Sequence, residues 1–157
     1  GTLIRSNVGL EVASLEMGGW DTHVGQGTVN GWLPSYLKDL ADALAAFERD
    51  MGSEMKRITV IVQTEFGRRL NENTGLGTDH GRASAMFLMG GGVVGGKVFA
   101  DWPGLEARQL DAVGDLKVTT DYRDVLADAL TSRVKGSHPA AVFPEWSAKQ
   151  RGFFKVA

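Results

Sequence analysis

Two of the three histidines in this 157-residue sequence stand close to an aspartate and next to glycines. Asp21 and His23 lie in "GGWDTH", and Asp79 and His80 lie in "GTDHG". Carboxylate and imidazole groups bind zinc, manganese or iron once they are deprotonated. Together the two pairs predict a site for a divalent metal, with zinc as one candidate. For either pair taken alone, the alternative is an ordinary turn in which the aspartate caps the backbone.

A third polar cluster, "TEFGRR", contains Glu65 and Arg68. The planar guanidinium group of arginine is the side chain best shaped to bind two oxygens of a phosphate or sulfate group. Arg68 is therefore a candidate for binding an anionic substrate. The alternative is that Glu65 and Arg68 form an ion pair at the end of a strand.

Composition narrows the classes of partner and of chemistry. The formal net charge is −2 and like charges form no block, so the sequence favours neither nucleic acid nor an anionic membrane as a partner. The absence of cysteine excludes disulfides, thiolate metal sites and cysteine nucleophiles. No apolar stretch approaches the roughly 20 residues that a membrane span needs. Because the chain does not begin with methionine, we expect it to be part of a longer protein.

Apolar periodicity predicts the elements that precede and follow the first cluster. Residues 8–17 alternate apolar and other residues, which predicts a strand that ends at two glycines. From Leu33 to Met51, leucines and other apolar residues recur at steps of three and four. This spacing predicts an amphipathic helix that ends near Gly52. Residues 57–67 are rich in β-branched residues and predict a strand covered on both faces.

The second half of the chain predicts one more strand and one more helix. "SAMFLMGGG" from Ser84 predicts the strand, and "TTDYRDVLADALTSRV" predicts the helix, with Thr119, Thr120 or Asp121 as its N-cap. The glycine-rich residues 93–118 between them predict an excursion or a small antiparallel hairpin.

A strand, a helix and a strand in succession form a βαβ unit, which joins parallel strands. The sequence therefore predicts one α/β domain over residues 1–157, with a mostly parallel sheet and flanking helices. Such sheets bind ligands beyond the carboxyl ends of their strands. We expect all three polar clusters to lie there.

Four ordered motifs, "GGWDTH", "TEFGRR", "EN…GTDHG" and "TTDYRDVLADAL", resemble a bacterial family known as domain of unknown function 1501. The resemblance extends from Gly18 to Pro144 and matches the carboxyl-terminal part of a longer domain. That family is placed in the alkaline phosphatase and sulfatase superfamily. The resemblance implies an alkaline phosphatase-like fold, present here as a partial domain. In that superfamily two metal ions flank a serine or threonine nucleophile.

The resemblance also assigns metal ligands. Asp21 and His23 look like the first ligand loop, although they are closer together than is usual, and His80 looks like the late histidine of the same metal. Glu65 falls at the aspartate of the second metal and Phe66 at its histidine. Phenylalanine cannot bind a metal, so this second site is lost, weakened or rebuilt with Asp79. In an alternative alignment, "TDHG" itself supplies the second pair.

The function that the resemblance implies is metal-dependent hydrolysis of a small phosphate or sulfate ester, with the nucleophile upstream of this chain. The rival prediction is a noncatalytic binding or scaffold domain, which Phe66 favours. A third prediction is a single structural ion held by the Asp-His pairs. The resemblance further implies a periplasmic or cell-surface location. The sequence predicts no oligomeric state.

Overall fold

The helices carry most of the regular structure of the protein. The computed structural model describes residues 1–112 and 114–155. Within them the α-helices are α1 (Thr2–Arg5), α2 (Trp32–Met51), α3 (Tyr122–Arg133) and α4 (Pro139–Val142). Two 3₁₀ helices span Gly52–Arg57 and Ala107–Gln109. Each helix in this part of the chain is too short or too polar to cross a lipid bilayer.

Four short strands form two separate antiparallel pairs among the described residues: β1 (Thr59–Val62), β2 (Gly67–Arg68), β3 (His80–Gly81) and β4 (Phe87–Gly90). In the first pair, β1 runs antiparallel to β4, with Val62 opposite Phe87. In the second pair, β2 runs antiparallel to β3, with Arg68 opposite His80. The smaller pair therefore forms a hairpin within the connection between β1 and β4.

The prediction of a mostly parallel sheet with flanking helices, and with it an alkaline phosphatase-like fold, is wrong. Parallel strands need a crossover connection, usually a helix, between them. Residues 63–86 join β1 to β4 and contain the small hairpin but no helix. The chain therefore returns beside β1 in the opposite direction.

The strand predicted over residues 8–17 is also absent from the structure. This segment has almost no regular secondary structure and pairs with no strand, and Val12 and Leu15 are 73% and 95% exposed. Alternation of apolar residues marks a segment that fits a half-buried sheet, but only a neighbouring strand can satisfy its backbone hydrogen bonds. Without this strand there is no βαβ unit, and Asp21 and His23 lie in a loop rather than at a strand end.

The two long helices are confirmed. The helix predicted from Leu33 to Met51 is α2, and it ends where Gly52 adopts a left-handed conformation with φ of 51°. Glycine reaches that conformation without steric cost, which is why it commonly ends a helix. Of the three predicted N-cap residues for α3, the structure uses Asp121, whose side chain accepts a hydrogen bond from the backbone N–H of Arg123.

The hydrophobic core lies between α3, the β1–β4 pair and the end of the chain. Its buried members are Val125, Ala129, Phe153 and Phe154, and the residues packed against them are Ile61, Met86, Leu88 and Val93. Val93 and Phe154 form an isolated antiparallel bridge. The last described residues thus close the core over one face of α3.

Two carboxylates of α3 bind the segment at residues 146–153, which leads to the phenylalanines that close the core. Asp124, which is 1% exposed, accepts hydrogen bonds from the backbone N–H of Lys149 at 2.9 Å and from the indole N–H of Trp146 at 3.3 Å. Asp128 accepts one from the backbone N–H of Phe153 at 2.9 Å. Buried carboxylates are stable only when such partners are present, so helix and segment depend on each other.

Candidate metal centre

Two loops that are far apart in the sequence lie side by side and carry the candidate ligands. Residues 25 and 26 donate backbone hydrogen bonds to the carbonyls of Gly75 and Leu76, at 2.8 and 3.0 Å. A Cβ atom on Gly77 would lie 2.3 Å from the carbonyl oxygen of His23. Only glycine permits this close approach of the two backbones. Residues 20–26 and 73–81 are called the first and second ligand loops below.

The small hairpin sets the position of His80 at the end of the second ligand loop. His80 is the first residue of β3 and pairs with Arg68 of β2. The ring of Phe66 stacks on the imidazole of His80, with centroids 4.1 Å apart and planes inclined by 11°. Phe66 therefore supports one face of this histidine.

Three of the predicted ligands converge. One donor atom from each of Asp21, His23 and His80 can be chosen so that all three lie within 4.8 Å of one another. Asp21 Oδ1 lies 2.6 Å from His80 Nε2 and 2.9 Å from His23 Nε2. The two imidazole rings lie 4.8 Å apart between centroids. Both loops thus contribute to one cluster that is open to solvent.

The surroundings of Asp21 favour its charged form. Its hydrogen bond with His80 lowers the pKa of the carboxyl group, and the nearby charges of His23, His80 and Arg68 lower it further. Burial acts in the opposite direction but does not cancel these effects. Asp21 is therefore a carboxylate over the physiological pH range, which is the form that binds a metal.

Asp79 lies behind His23 rather than within the cluster. Its Oδ1 is 3.1 Å from His23 Nδ1 and accepts a hydrogen bond from the side-chain amide of Asn73 at 2.9 Å. Asn73 contributes most to lowering the pKa of Asp79, and His23 contributes next. An ionised carboxylate can only accept hydrogen bonds, so this contact is a hydrogen bond in the tautomer of His23 that carries its proton on Nδ1. In that tautomer Nε2, which faces Asp21, is the nitrogen that can bind a metal.

Arg68 is engaged by the backbones of both ligand loops. Its guanidinium donates hydrogen bonds to the carbonyl of Trp20 in the first loop and to that of Thr78 in the second. It also lies 4.9 Å from the centroid of the Phe66 ring and 3.9 Å from Asp21 Oδ1. This side chain ties together the two segments that carry the ligands. Its predicted role in substrate binding stays a prediction.

Glu65 is not brought into the cluster. Its side chain is exposed, and within the described part of the chain it makes no ion pair with Arg68. Its assignment to a second metal stays a prediction. The third histidine, His138, is exposed and directly precedes α4.

Sequence reasoning missed the role of Asn73. Its side-chain carbonyl accepts hydrogen bonds from the backbone N–H groups of Gly75 and Gly77, at 2.9 and 3.1 Å, while its amide donates to Asp79. Asparagine followed two residues later by glycine is typical of a turn in which the side chain binds the backbone. That signal is present in "ENTG", but it does not reveal which carboxylate the amide contacts.

Comparison with known proteins identifies the family of this chain. The family model described as "Protein of unknown function (DUF1501)" matches residues 3–142, which is most of the chain. No curated protein and no solved structure matches the chain.

Proposed function

This chain belongs to the DUF1501 family, and we propose that it binds one divalent transition metal through Asp21, His23 and His80. We further propose that this centre serves the hydrolysis of phosphate or sulfate esters. The observation that carries the proposal is the convergence of three donor side chains from two loops. Residues this far apart in sequence meet only because the loops are held together.

The donor set fits a catalytic metal. Catalytic zinc is commonly held by three protein ligands of the histidine and carboxylate type, with one position left for water or substrate. Two histidines and one carboxylate also suit iron(II). Asp21, His23 and His80 have side chains that are 63%, 39% and 47% exposed, so a small molecule has access to the centre.

The chain's own residues give this centre its rigidity and charge. Asp21 supplies the negative charge, Asp79 orients His23, and Arg68 holds the two ligand loops. A bound divalent ion would polarise a phosphoryl or sulfuryl oxygen and lower the pKa of a nucleophile. The proposal assigns no nucleophile. The relation to the alkaline phosphatase and sulfatase superfamily and the exported location stay predictions of the resemblance.

The test is a calorimetric titration of the metal-free chain with Zn²⁺, Mn²⁺ and Fe²⁺. We expect one site per chain, with affinity at least 100-fold weaker in His80→Ala because one of three ligands is lost. Glu65→Ala is the matched control, since this carboxylate lies outside the cluster, and it should bind as the natural sequence does. Equal affinity in His80→Ala and the natural sequence would refute the site.

A noncatalytic role for the same ion is the second candidate, and Phe66 is the observation that favours it. This residue stands where the resemblance expects a histidine of a second metal, and its ring packs against His80 instead. A structural ion would raise the melting temperature of the chain, but the metal-loaded chain would not bind phosphate. Phosphate binding to the metal-loaded chain therefore separates the two candidates.

A further inference from the structure

A cleft of about 350 Å³ opens beside the candidate metal centre. Its lining includes Asp21 and His23 together with Trp32 and Tyr36, which lie in the first two turns of α2. A ligand held at the centre would therefore extend from polar donor groups onto aromatic side chains. None of the sequence motifs pointed to these two aromatic residues.

The rings of Trp32 and Tyr36 pack against each other and are together called the aromatic surface below. The rings of Trp32 and Tyr36 are stacked, with centroids 6.3 Å apart and planes inclined by 24°. Behind them, Trp20 packs against Tyr36 at 5.8 Å between centroids. Trp32 remains 61% exposed although it is one of the largest apolar side chains. The exposed ring of Trp32, packed on Tyr36, is well suited to stacking with a ring of a ligand.

Gly19 lies close to the ring of Tyr36. It has φ of 96°, and a Cβ atom added there would lie 2.8 Å from Cζ of Tyr36. The absence of a side chain lets the Tyr36 ring approach the backbone that leads into Asp21.

The charges around the cleft determine which part of a ligand binds at the metal centre and which part binds at the aromatic surface. Asp21 and Asp79 both bear negative charge, while the guanidinium of Arg68 beside Asp21 donates to backbone carbonyls. An anionic group is therefore repelled from the metal-free cluster and is attracted only after a cation binds. The aromatic surface bears no charge and suits the uncharged part of the ligand.

We propose that this cleft selects monoesters whose alcohol portion is a ring, either aryl or sugar, with the phosphate or sulfate group at the metal and the ring stacked on Trp32, which Tyr36 supports. This inference rests on the proposed function, because it needs a metal at Asp21, His23 and His80. It adds the substrate class that the metal centre alone does not define.

The experiment compares three probes on the metal-loaded full chain by calorimetry. Phenylphosphonate bears an aryl ring and cannot be hydrolysed at its P–C bond, glucose 6-phosphate bears a sugar ring, and methylphosphonate bears no ring. We expect the preferred ring probe to bind about tenfold more tightly than methylphosphonate, which is the scale of one aromatic stacking contact. The better of the two ring probes identifies the ring as aryl or sugar. Removal of the metal should abolish binding of all three.

Trp32→Ala should remove the preference for the ring probe and leave methylphosphonate and metal affinity unchanged. Trp102→Ala is the matched control, because Trp102 is 63% exposed and does not line the cleft. Tyr36→Ala gives an independent variant, since Tyr36 lies in α2 outside both ligand loops and its loss removes the ring that supports Trp32; it should also lower affinity for the ring probe alone.

Two negative results are distinguishable. If metal and methylphosphonate bind but neither Trp32→Ala nor Tyr36→Ala changes the preference, the ring inference is refuted and the proposed metal centre stands. If no metal binds to the natural chain, the proposed function itself fails.

Discussion

At the scale of single residues, the two aspartates next to histidines have different roles. Each histidine contacts the aspartate of the other pair: His80 meets Asp21, and His23 meets Asp79 through Nδ1. His23 Nε2 also reaches Asp21, so Asp21 lies between the two imidazoles. Asp21 is thus a candidate ligand, and Asp79 contacts the Nδ1 atom of another candidate ligand; its own assignment as a ligand stays a prediction.

We expect Asp79→Ala to weaken Zn²⁺ affinity by about 10–100-fold, since groups that orient a metal-binding histidine typically contribute that much. Asp21→Ala should weaken it far more, because a ligand and its charge are lost. Calorimetric titration at constant pH measures both.

Asp111→Ala is the control, because this carboxylate pairs with Arg82 outside the cluster. Losses of equal size in Asp79→Ala and Asp21→Ala would show that Asp79 is itself a ligand. Unchanged affinity in Asp79→Ala would show that it does not orient His23.

At the scale of elements, the start of α3 depends on one carboxylate. Asp121 accepts hydrogen bonds from the backbone N–H and from the guanidinium of Arg123, each at 2.9 Å. Asp121→Ala should lower the free energy of unfolding by about 0.5–2 kcal/mol at pH 7, the usual contribution of an N-cap. Urea unfolding followed by circular dichroism measures the change. Thr120→Ala, at the neighbouring N-cap candidate, should have little effect.

The same carboxylate predicts a pH dependence. Its hydrogen bond with the Arg123 side chain holds the pKa of Asp121 below its ordinary value. A group whose pKa is lower in the folded chain stabilises it fully above the unfolded pKa of about 3.9, and that stabilisation is lost as the pH falls through the folded pKa. The cost of Asp121→Ala should therefore shrink towards pH 3. A cost that is constant from pH 7 to pH 3 would contradict this role for the carboxylate.

At the scale of the whole molecule, stability depends on the segment that closes the core. Phe153 and Phe154 are each 4% exposed and pack with Val125 and Ala129 of α3. Phe154→Ala should lower the free energy of unfolding by about 3–5 kcal/mol, because it removes a large buried ring and leaves a cavity. Urea unfolding measures this loss.

Phe87→Ala is the control, because it makes the same side-chain change at an exposed position: Phe87 is 53% exposed in β4. It should cost clearly less than Phe154→Ala. Equal costs for the two variants would mean that residues 153 and 154 do not form the core described above.

The amino-acid sequence by itself determined the local elements and the chemical types of the candidate site. The stripe from Leu33 to Met51 and the acidic cap before α3 are confirmed, because helix periodicity and capping act between residues a few positions apart. The β-branched run that contains Ile61 is a strand for a similarly local reason. Asp21, His23 and His80 were candidate ligands from their types alone.

Only the tertiary structure decided the direction of strand pairing, the partners of each aspartate and the composition of the core. These depend on residues that are distant in sequence, and a pattern of apolar residues does not reveal which distant segment satisfies a backbone. The segment at residues 8–17 alternates as a strand does, yet it lies beside no other strand. Likewise, His80 meets Asp21 because the two ligand loops are hydrogen-bonded together, not because of either motif.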